Sequence, residues 1–291
     1  MSNSFKLNVD KLEKFISFYQ EYQIEPSNEN ILFQCKYNEC SIILYKTLTV
    51  VIAGKNEKEE TIKWKESAYK VINHIGSDEV GCGDFFGPVV VSSAYVKEED
   101  YELLEDLGVN DSKKINDSTI MQIAPILIEK IKTVTFTLTI NKYNELTSKG
   151  YNLNKIKAYL HNFVLEKIVS NNNFNGLIVV DQFCEESLYY KYLLDYKTDK
   201  IQKNIFFTTK AESQYLAVAC ASIVARYTFL KEMEKISNEL DLKVPLGAGK
   251  EVNEFAINLA KEKGIEILQK YSKHHFKNTA IVLDSINDKI C

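Results

Sequence analysis

Adjacent carboxylates and closely spaced glycines make residues 76–88 the densest chemical signal in the sequence. The run is Gly-Ser-Asp-Glu-Val-Gly-Cys-Gly-Asp-Phe-Phe-Gly-Pro, with Asp78 and Glu79 side by side after a short apolar stretch. Two buried carboxylates are costly unless a cation or hydrogen-bond donors compensate their charge. Glycine also lets the backbone approach a ligand closely. The run therefore indicates a metal or ligand site, although a glycine-rich hairpin with two solvated acids would explain it equally well.

Two further acids stand where predicted elements begin or end. Asp181 directly follows the apolar run Leu-Ile-Val-Val over 177–180, which predicts a buried strand. A carboxylate at such a strand end often points into a functional cleft, but strands that end at an acid are also common without any function. Glu212 lies at the start of a predicted helix, where the helix dipole favours an acid without catalysis.

Together, Asp78, Glu79, Asp181 and Glu212 form a set of carboxylates on different predicted elements. Such a set suits hard cations with oxygen ligands, above all Mg²⁺. Two such ions about 4 Å apart can activate a water molecule and stabilise the leaving oxygen of a phosphodiester. No serine, cysteine or histidine combination with catalytic spacing competes with this interpretation.

The elements that must position these acids fall into two blocks. The first block, residues 1–68, is predicted to be a small α+β domain. It shows a helix over 9–24, strands over 31–36, 41–46 and 48–53, and a helix that contains Trp64.

The second block, residues 71–291, predicts an α/β layer with a mixed sheet flanked by helices. Its strand-like runs cover 71–77, 88–96, 134–140, 177–180 and 205–209. Helical patterns cover 154–170, 185–195 and 214–236, and two more helices are expected after Gly247. In 134–140 threonine alternates with apolar residues, which indicates a half-buried strand.

Composition limits the classes of protein that remain. The 291 residues carry a net charge of −4, which argues weakly against nucleic acid because such partners favour basic proteins. A lysine-rich face can still exist on an acidic chain. The sequence has no apolar run of membrane-spanning length and no signal-peptide layout. We therefore expect a cytoplasmic protein without a membrane partner, and its cysteines, which form no CxxC pair, are expected to be free thiols.

Residues 78–88 resemble the signature of type 2 ribonucleases H. The resemblance spans roughly residues 70–280. It continues in order through Asn110-Asp-Ser-Lys-Lys114, Asn154-Lys-Ile-Lys-Ala-Tyr-Leu-His-Asn162, Val179-Val-Asp-Gln-Phe183, Lys210-Ala-Glu-Ser213 and Ala221-Ser-Ile-Val-Ala-Arg226. The last motif holds the sequence's single arginine, Arg226. It marks either a place that needs a planar, multi-donor cation or an ordinary helix position.

Within that class the chain is more similar to ribonuclease HIII than to ribonuclease HII. Cys82 stands where the HII pattern has arginine, and Glu212 stands where it has aspartate. The segment His275-Phe-Lys-Asn-Thr279 resembles the C-terminal motif of ribonuclease HIII. The first block, with Tyr45-Lys46 in a hairpin, resembles that family's TBP-like substrate-binding domain, although Thr47-Leu48 replaces the usual Ser-Gly.

The resemblance implies an activity and roles for individual residues. Asp78, Glu79, Asp181 and Glu212 would bind Mg²⁺ or Mn²⁺, and the chain would cut the RNA strand of RNA–DNA hybrids, leaving 3′-hydroxyl and 5′-phosphate ends. The backbone of Gly81, Cys82 and Gly83 would lie against ribose 2′-hydroxyls, which distinguish RNA from DNA. Phosphate contacts are expected from Lys113, Lys114 and Lys210, unless these are solvated surface lysines.

Two alternatives stay open at this point, and one expectation concerns assembly. The chain could be an HII-like enzyme that incises at single ribonucleotides in DNA, although Cys82 speaks against it. It could also be a nucleic-acid binding protein whose acids are structural, although carboxylates repel phosphate unless cations intervene. We expect the chain to be a monomer.

Overall fold

The computed structural model describes residues 2–7, 11–68, 72–109, 115–194 and 201–287. Lys113 and Lys114, two of the predicted substrate-binding residues, lie outside these described residues. The chain divides into two compact units, Met1–Ile72 and Asn73–Cys291. Within the described residues, no helix is both long and apolar enough to cross a membrane.

The first unit is a four-stranded antiparallel sheet with two helices packed on one face. Its sheet has the order β1-β4-β3-β2. The strands are β1 (Ser2–Lys6), β2 (Ile31–Tyr37), β3 (Cys40–Tyr45) and β4 (Thr49–Gly54), and the helices are α1 (Leu12–Tyr19) and α2 (Glu57–Ala68). Alternate apolar residues of the strands bury against the helices, where the rings of Phe15 and Trp64 meet edge to face at 4.7 Å.

Two features of this unit differ from the predicted pattern. The helix predicted over 9–24 ends at Tyr19 and continues only as a 3₁₀ turn, Gln20–Tyr22. The strand Ser2–Lys6 was not predicted, because its mostly polar and exposed residues show no apolar alternation. It forms by pairing with the edge of β4, from Ser2 opposite Ala53 to Lys6 opposite Thr49.

The second unit contains the predicted mixed sheet, in the order β7-β6-β5-β8-β9. The strands are β5 (His74–Val80), β6 (Val89–Val96), β7 (Lys132–Leu138), β8 (Leu177–Asp181) and β9 (Ile205–Thr208). β5, β6 and β7 pair antiparallel, whereas β8 runs parallel to both β5 and β9. β5 extends three residues beyond the predicted end at Ser77, so that Asp78 and Glu79 lie inside the strand.

Helices cover both faces of this sheet. They are α3 (Tyr101–Asp106), α4 (Asp117–Lys130), α5 (Ile140–Ser148), α6 (Leu153–Asn172), α7 (Glu186–Leu193), α8 (Leu216–Leu240), α9 (Lys250–Lys263), α10 (Glu266–Tyr271) and α11 (Lys277–Asn287). Of these, α3, α4 and α5 were not predicted, and within the described residues three helices rather than the expected two follow Gly247. Helix α4 carries Pro125, a residue that normally interrupts helices.

The two longest helices lie on opposite faces of the sheet because neighbouring residues of β5 face opposite sides. Ile75 packs in a cluster with Ala158 of α6. Gly76 faces α8 so closely that a Cβ atom there would stand 2.3 Å from the backbone nitrogen of Val218. This close approach positions α8 against the strand that carries the first two acids.

Candidate active site

Strand alternation sends the two adjacent acids of β5 to different partners. Asp78, on the same side as Gly76, accepts a hydrogen bond from Ser222 of α8. Glu79, on the same side as Ser77, meets Lys157 and His161 of α6. The Glu79 backbone N–H donates to Asp78 Oδ1 at 2.8 Å, and the negative charges of the two carboxylates repel.

The Asp78 carboxylate is held where its charge is poorly compensated. Burial, together with the negative charges of Glu79 and Asp181, raises the pKa of Asp78 to about 7, and the hydrogen bonds from Ser222 and the Glu79 N–H offset this only in part. Ionisation of a buried carboxylate next to other acids is unfavourable. A bound cation makes it more favourable, because the positive charge stabilises the carboxylate form. The charge balance at Asp78 therefore fits a divalent metal ion.

Glu79 is ionised because two donors outweigh its burial. Burial by itself would raise the pKa of Glu79, but hydrogen bonds from His161 and Lys157 and the positive charge of Lys157 hold that pKa below its ordinary value. Its side chain is only 14% exposed. Lys157 and His161 were not singled out from the sequence as functional residues. Their four-residue spacing inside the Asn154–Asn162 motif was the available signal, because such spacing places both on one helix face.

Asp181 comes from the neighbouring strand. β8 pairs in parallel with β5, Val180 opposite Ser77, so that Asp181 and Asp78 follow at matching positions and their charges interact. The Asp181 carboxylate accepts the backbone N–H of Ala211 at 2.9 Å. This contact ties the end of β8 to the segment that carries Glu212.

Glu212 lies in a 3₁₀ turn, Ala211–Ser213, before α8 rather than in its first turn. The helix-dipole explanation for this acid is therefore wrong, because α8 begins only at Leu216. Glu212 is half-buried, and its neighbour Ala211 holds Asp181. Among the described residues, no three acidic, histidine or cysteine side chains already form a metal-binding arrangement. The structure thus brings Asp78, Glu79 and Asp181 into electrostatic contact and connects Glu212 to them through the backbone.

The glycine loop after β5 combines one structural glycine with one open glycine. Gly81 has φ +87°, and a Cβ atom there would meet the Pro88 carbonyl oxygen at 2.2 Å. Gly83 is exposed, and a Cβ atom there would have no neighbour within 4 Å. Between them Cys82 is half-buried, and burial raises the pKa of its thiol to about 12, which disfavours the reactive thiolate form.

Comparisons with known proteins decide the family. Residues 75–279 match the family described as Ribonuclease HII. The ribonuclease HIII of Phytoplasma mali is 40% identical over 94% of this chain and 96% of its own length. That of Bacillus velezensis is 36% identical over 96% of each chain. This chain belongs to the ribonuclease HIII family.

Solved structures agree with this assignment. Bst-RNase HIII, whose crystal structure is a complex with Mn²⁺, matches with a TM-score of 0.73 and 33% identity over 98% of both chains. Residues 4–74 match a domain family of unknown function, DUF3378. The resemblance to ribonuclease HIII and the predicted fold class are confirmed.

In this member of the ribonuclease HIII family, hydrogen bonds with Gly247 and Lys273 hold the glycine loop in place. Phe85 donates its backbone N–H to Gly247 at 2.8 Å and accepts that of Lys273 at 2.9 Å. The fully buried Lys273 ammonium donates to the carbonyls of Asp84 at 2.7 Å and Gly87 at 2.5 Å. Burial lowers the pKa of Lys273 to about 8. Sequence patterns did not single out this lysine, because its partners lie almost two hundred residues away.

Two predicted cations of this family member have different surroundings. Lys210 is exposed and has φ 56°, directly before the turn that carries Glu212. Arg226 forms a two-pronged pair with Asp117 at the start of α4, with both nitrogen–oxygen distances 2.9 Å. The pair borders a cavity of about 220 Å³ that Glu79 and Ser222 also line. Arg226 thus uses its planar fork to join α8 to α4 beside the acids.

Proposed function

We propose that this chain hydrolyses the RNA strand of RNA–DNA hybrids at the acidic site on β5 and β8, giving 3′-hydroxyl and 5′-phosphate ends. One observation carries the proposal: Asp78 is buried beside two other acids, Glu79 on the same strand and Asp181 on the neighbouring strand, and burial together with their charges raises its pKa to about 7. A site with this charge cannot receive a phosphodiester unless cations intervene.

Asp78, Glu79, Asp181 and Glu212 are the proposed ligands of Mg²⁺ or Mn²⁺. Their carboxylate oxygens are the donors that these hard cations prefer. Metal bound there would activate the attacking water and stabilise the leaving oxygen. The contribution of the protein is to fix these donors. β5 fixes Asp78 and Glu79, and the Ala211 N–H fixes Asp181.

The glycine loop is the proposed reader of the RNA strand. Gly83 is exposed with open space beside its Cα atom, so a ribose can approach the backbone there. Gly81 allows the backbone conformation of the loop, with its positive φ. Cys82 is proposed to contact the ribose through its backbone. Lys210 is exposed directly before the turn Ala211–Ser213, which carries Glu212, and it can contact phosphate there. Lys113 and Lys114 stay predicted phosphate contacts.

The first unit is the proposed TBP-like hybrid-binding domain. The sheet face opposite its helices carries half-buried Ile43, Tyr45 and Val51. Lys36 is exposed on β2 opposite Ser41, and Lys46 directly follows β3. Apolar and cationic groups together suit sugar and phosphate contacts. Lys55 is a weaker candidate than these two lysines, because its ammonium pairs with Glu39 at 3.3 Å.

A cleavage assay tests the proposed site. A labelled RNA–DNA hybrid should be cut in Mg²⁺ or Mn²⁺, with an RNA product that carries a 5′-phosphate. Asp78→Asn keeps the size of the side chain but removes the charge, so it should abolish cutting while the folded structure persists by circular dichroism. Wild-type cleavage by Asp78→Asn would contradict the assigned site.

The two alternatives predict different outcomes. An HII-like enzyme should incise a DNA duplex with one embedded ribonucleotide efficiently, whereas we expect this chain to need several consecutive ribonucleotides because Cys82 replaces the HII arginine. A non-catalytic binding protein should bind hybrid equally well in EDTA and show no turnover. A comparison of the two substrates with metal titration separates all three functions.

We also propose that the chain is a monomer and acts in the cytoplasm. Free thiols at Cys35, Cys40, Cys82, Cys184 and Cys220 are typical of proteins from a reducing compartment. Light scattering on the purified chain and cell fractionation test these two points.

A further inference from the structure

Helix α6 presents two cationic or polar donors to one carboxylate. Lys157 and His161 stand four residues apart on its face toward β5. The Lys157 ammonium contacts Glu79 Oε1, and His161 Nε2 lies 2.8 Å from Glu79 Oε2. Each oxygen of Glu79 therefore has its own donor from the same helix. Lys157 is 8% exposed and His161 is fully buried.

The contacts determine which ring nitrogen of His161 carries hydrogen toward Glu79. The ionised Glu79 carboxylate can only accept hydrogen bonds, so Nε2–H must be the donor. His161 Nδ1 lies 2.7 Å from the hydroxyl oxygen of Ser77. In the neutral ring this nitrogen accepts the Ser77 hydroxyl hydrogen. A directed chain of donors thus runs from Ser77 through His161 to Glu79.

An aromatic ring closes this network. Phe183 stacks on His161 with a 5.2 Å centroid distance and a 21° interplanar angle. The Lys157 ammonium also lies 4.2 Å from the centre of the Phe183 ring. The ring fixes both donors by packing and by a cation–π contact. Glu79 is therefore held by a network that has few alternative arrangements.

We propose that His161 and Lys157 are positioning residues with opposite effects on metal binding at Glu79. His161 holds the carboxylate in the orientation that a metal ion needs. Lys157 neutralises Glu79 before the ion arrives and competes with it for the same carboxylate. The inference rests on the proposed function, because it requires Glu79 to be a metal ligand.

The opposite effects follow from charge. His161 holds the Glu79 carboxylate through a ring N–H donor, and loss of such an outer contact weakens metal binding by about tenfold or more. Lys157 places a positive charge beside the cation, and removal of that charge lowers the repulsion. A role confined to folding would lower the stability of both variants without moving metal affinity in opposite directions.

Direct Mn²⁺ binding at pH 8, measured by electron paramagnetic resonance of the free ion, tests the proposal without substrate. We expect His161→Leu to weaken Mn²⁺ binding by about tenfold and Lys157→Met to tighten it by a factor of at least about three. His161→Gln and Lys157→Arg keep the donor and the charge, so each should return towards wild-type affinity. Lys167→Met, an exposed position on the same helix, is the matched control and should leave affinity unchanged.

The Glu79→Gln background adds a second readout. There Lys157→Met should no longer tighten Mn²⁺ binding, because the competition requires the Glu79 charge. Thermal melting in EDTA should show Lys157→Met less stable than wild type, and Mn²⁺ should restore more stability to it than to wild type. If Lys157→Met does not fold, Lys157→Gln takes its place with the same expectation.

The results separate the two levels of inference. A wild-type chain that neither binds Mn²⁺ nor cuts hybrid overturns the proposed function. Mn²⁺ binding and cleavage by wild type, with equal or same-direction changes in the His161 and Lys157 variants, overturn only the opposing roles proposed here.

Discussion

At the scale of single residues, two neighbours in the chain have opposite electrostatic surroundings. Strand geometry turns Asp78 towards α8 and Glu79 towards α6. Burial raises the pKa of Asp78, whereas Lys157 and His161 outweigh burial at Glu79 and lower its pKa. The charge of Asp78 is thus only partly compensated, whereas Glu79 has the Lys157 ammonium beside it.

Metal affinity should depend on pH through Asp78. A metal ion binds the carboxylate form, and the raised pKa of about 7 leaves Asp78 largely protonated below neutrality. Mg²⁺ affinity should therefore increase as the pH rises from 6 to 8, by up to about tenfold per unit below the pKa. Calorimetry in buffers of different ionisation enthalpy should detect proton release on binding near pH 7.

The lowered pKa of Glu79 places its titration below this pH window, so it does not contribute. Asp78→Asn is the control and should lose the proton release. Binding that is independent of pH between 6 and 8 would show that Asp78 is already ionised in the metal-free protein.

The two glycines of the loop should respond differently to alanine. Gly83→Ala meets no neighbour within 4 Å, so its stability should change by less than about 0.5 kcal/mol while hybrid cleavage slows. Gly81→Ala should lower stability as well, because its φ is +87° and the new Cβ would contact the Pro88 carbonyl. Thermal melting and cleavage rates measure both. Unchanged cleavage by Gly83→Ala would argue against backbone contact with the substrate there.

At the scale of elements, the glycine loop depends on a segment that is remote in sequence. The backbone around Tyr271–Lys273 pairs with Phe85, Phe86 and Gly87. The buried Lys273 ammonium donates hydrogen bonds to two carbonyls of the loop. The loop conformation is thus imposed by the C-terminal segment rather than by local sequence alone.

Loss of the Lys273 ammonium should loosen the loop. Lys273→Met keeps most of the unbranched side chain but leaves the Asp84 and Gly87 carbonyls without their buried donor. We expect a loss of at least about 2 kcal/mol in the free energy of unfolding, measured by urea denaturation. Lys277→Met, at an exposed position, should change it by less than about 0.5 kcal/mol. Equal stability of the two variants would contradict the role of Lys273.

At the scale of the whole molecule, an acidic chain has to bind a polyanion. Its net charge of −4 makes general attraction weak, so binding must come from local cationic surfaces and from metal at the acids. The proposed surface on the first unit contains Lys36, on the sheet face opposite the helices, and Lys46, directly after β3. Because the chain consists of two compact units, the proposed binding role of the first unit can be tested separately from cleavage.

Removal of residues 1–66 should weaken hybrid binding but leave weak cleavage. The affinity of the full chain should fall with salt, because phosphate neutralisation releases counterions. The truncated chain should show both lower affinity and a smaller salt dependence in fluorescence anisotropy. A Lys36→Gln, Lys46→Gln double variant of the full chain should change affinity in the same direction. Undiminished affinity after truncation would contradict the assigned role of the first unit.

Sequence patterns alone predicted the family, the mixed sheet and the acids proposed as the site. Apolar runs and alternation specify strands over short distances, and the family signature around Asp78 and Glu79 is contiguous. The strand Ser2–Lys6 escaped prediction because it is stabilised by pairing with β4 rather than by its own pattern. Helix α4 was missed although it buries Ile120 and Leu127, and it contains Pro125.

Only the tertiary structure decided how the acids are held. His161 meets Glu79 across 82 positions of sequence, and Lys273 meets Gly87 across 186. Such contacts depend on how helices and strands pack, and no local periodicity encodes them. The residue types at the site are visible in the chain, whereas their charge states and partners arise from burial and from neighbours that folding brings together.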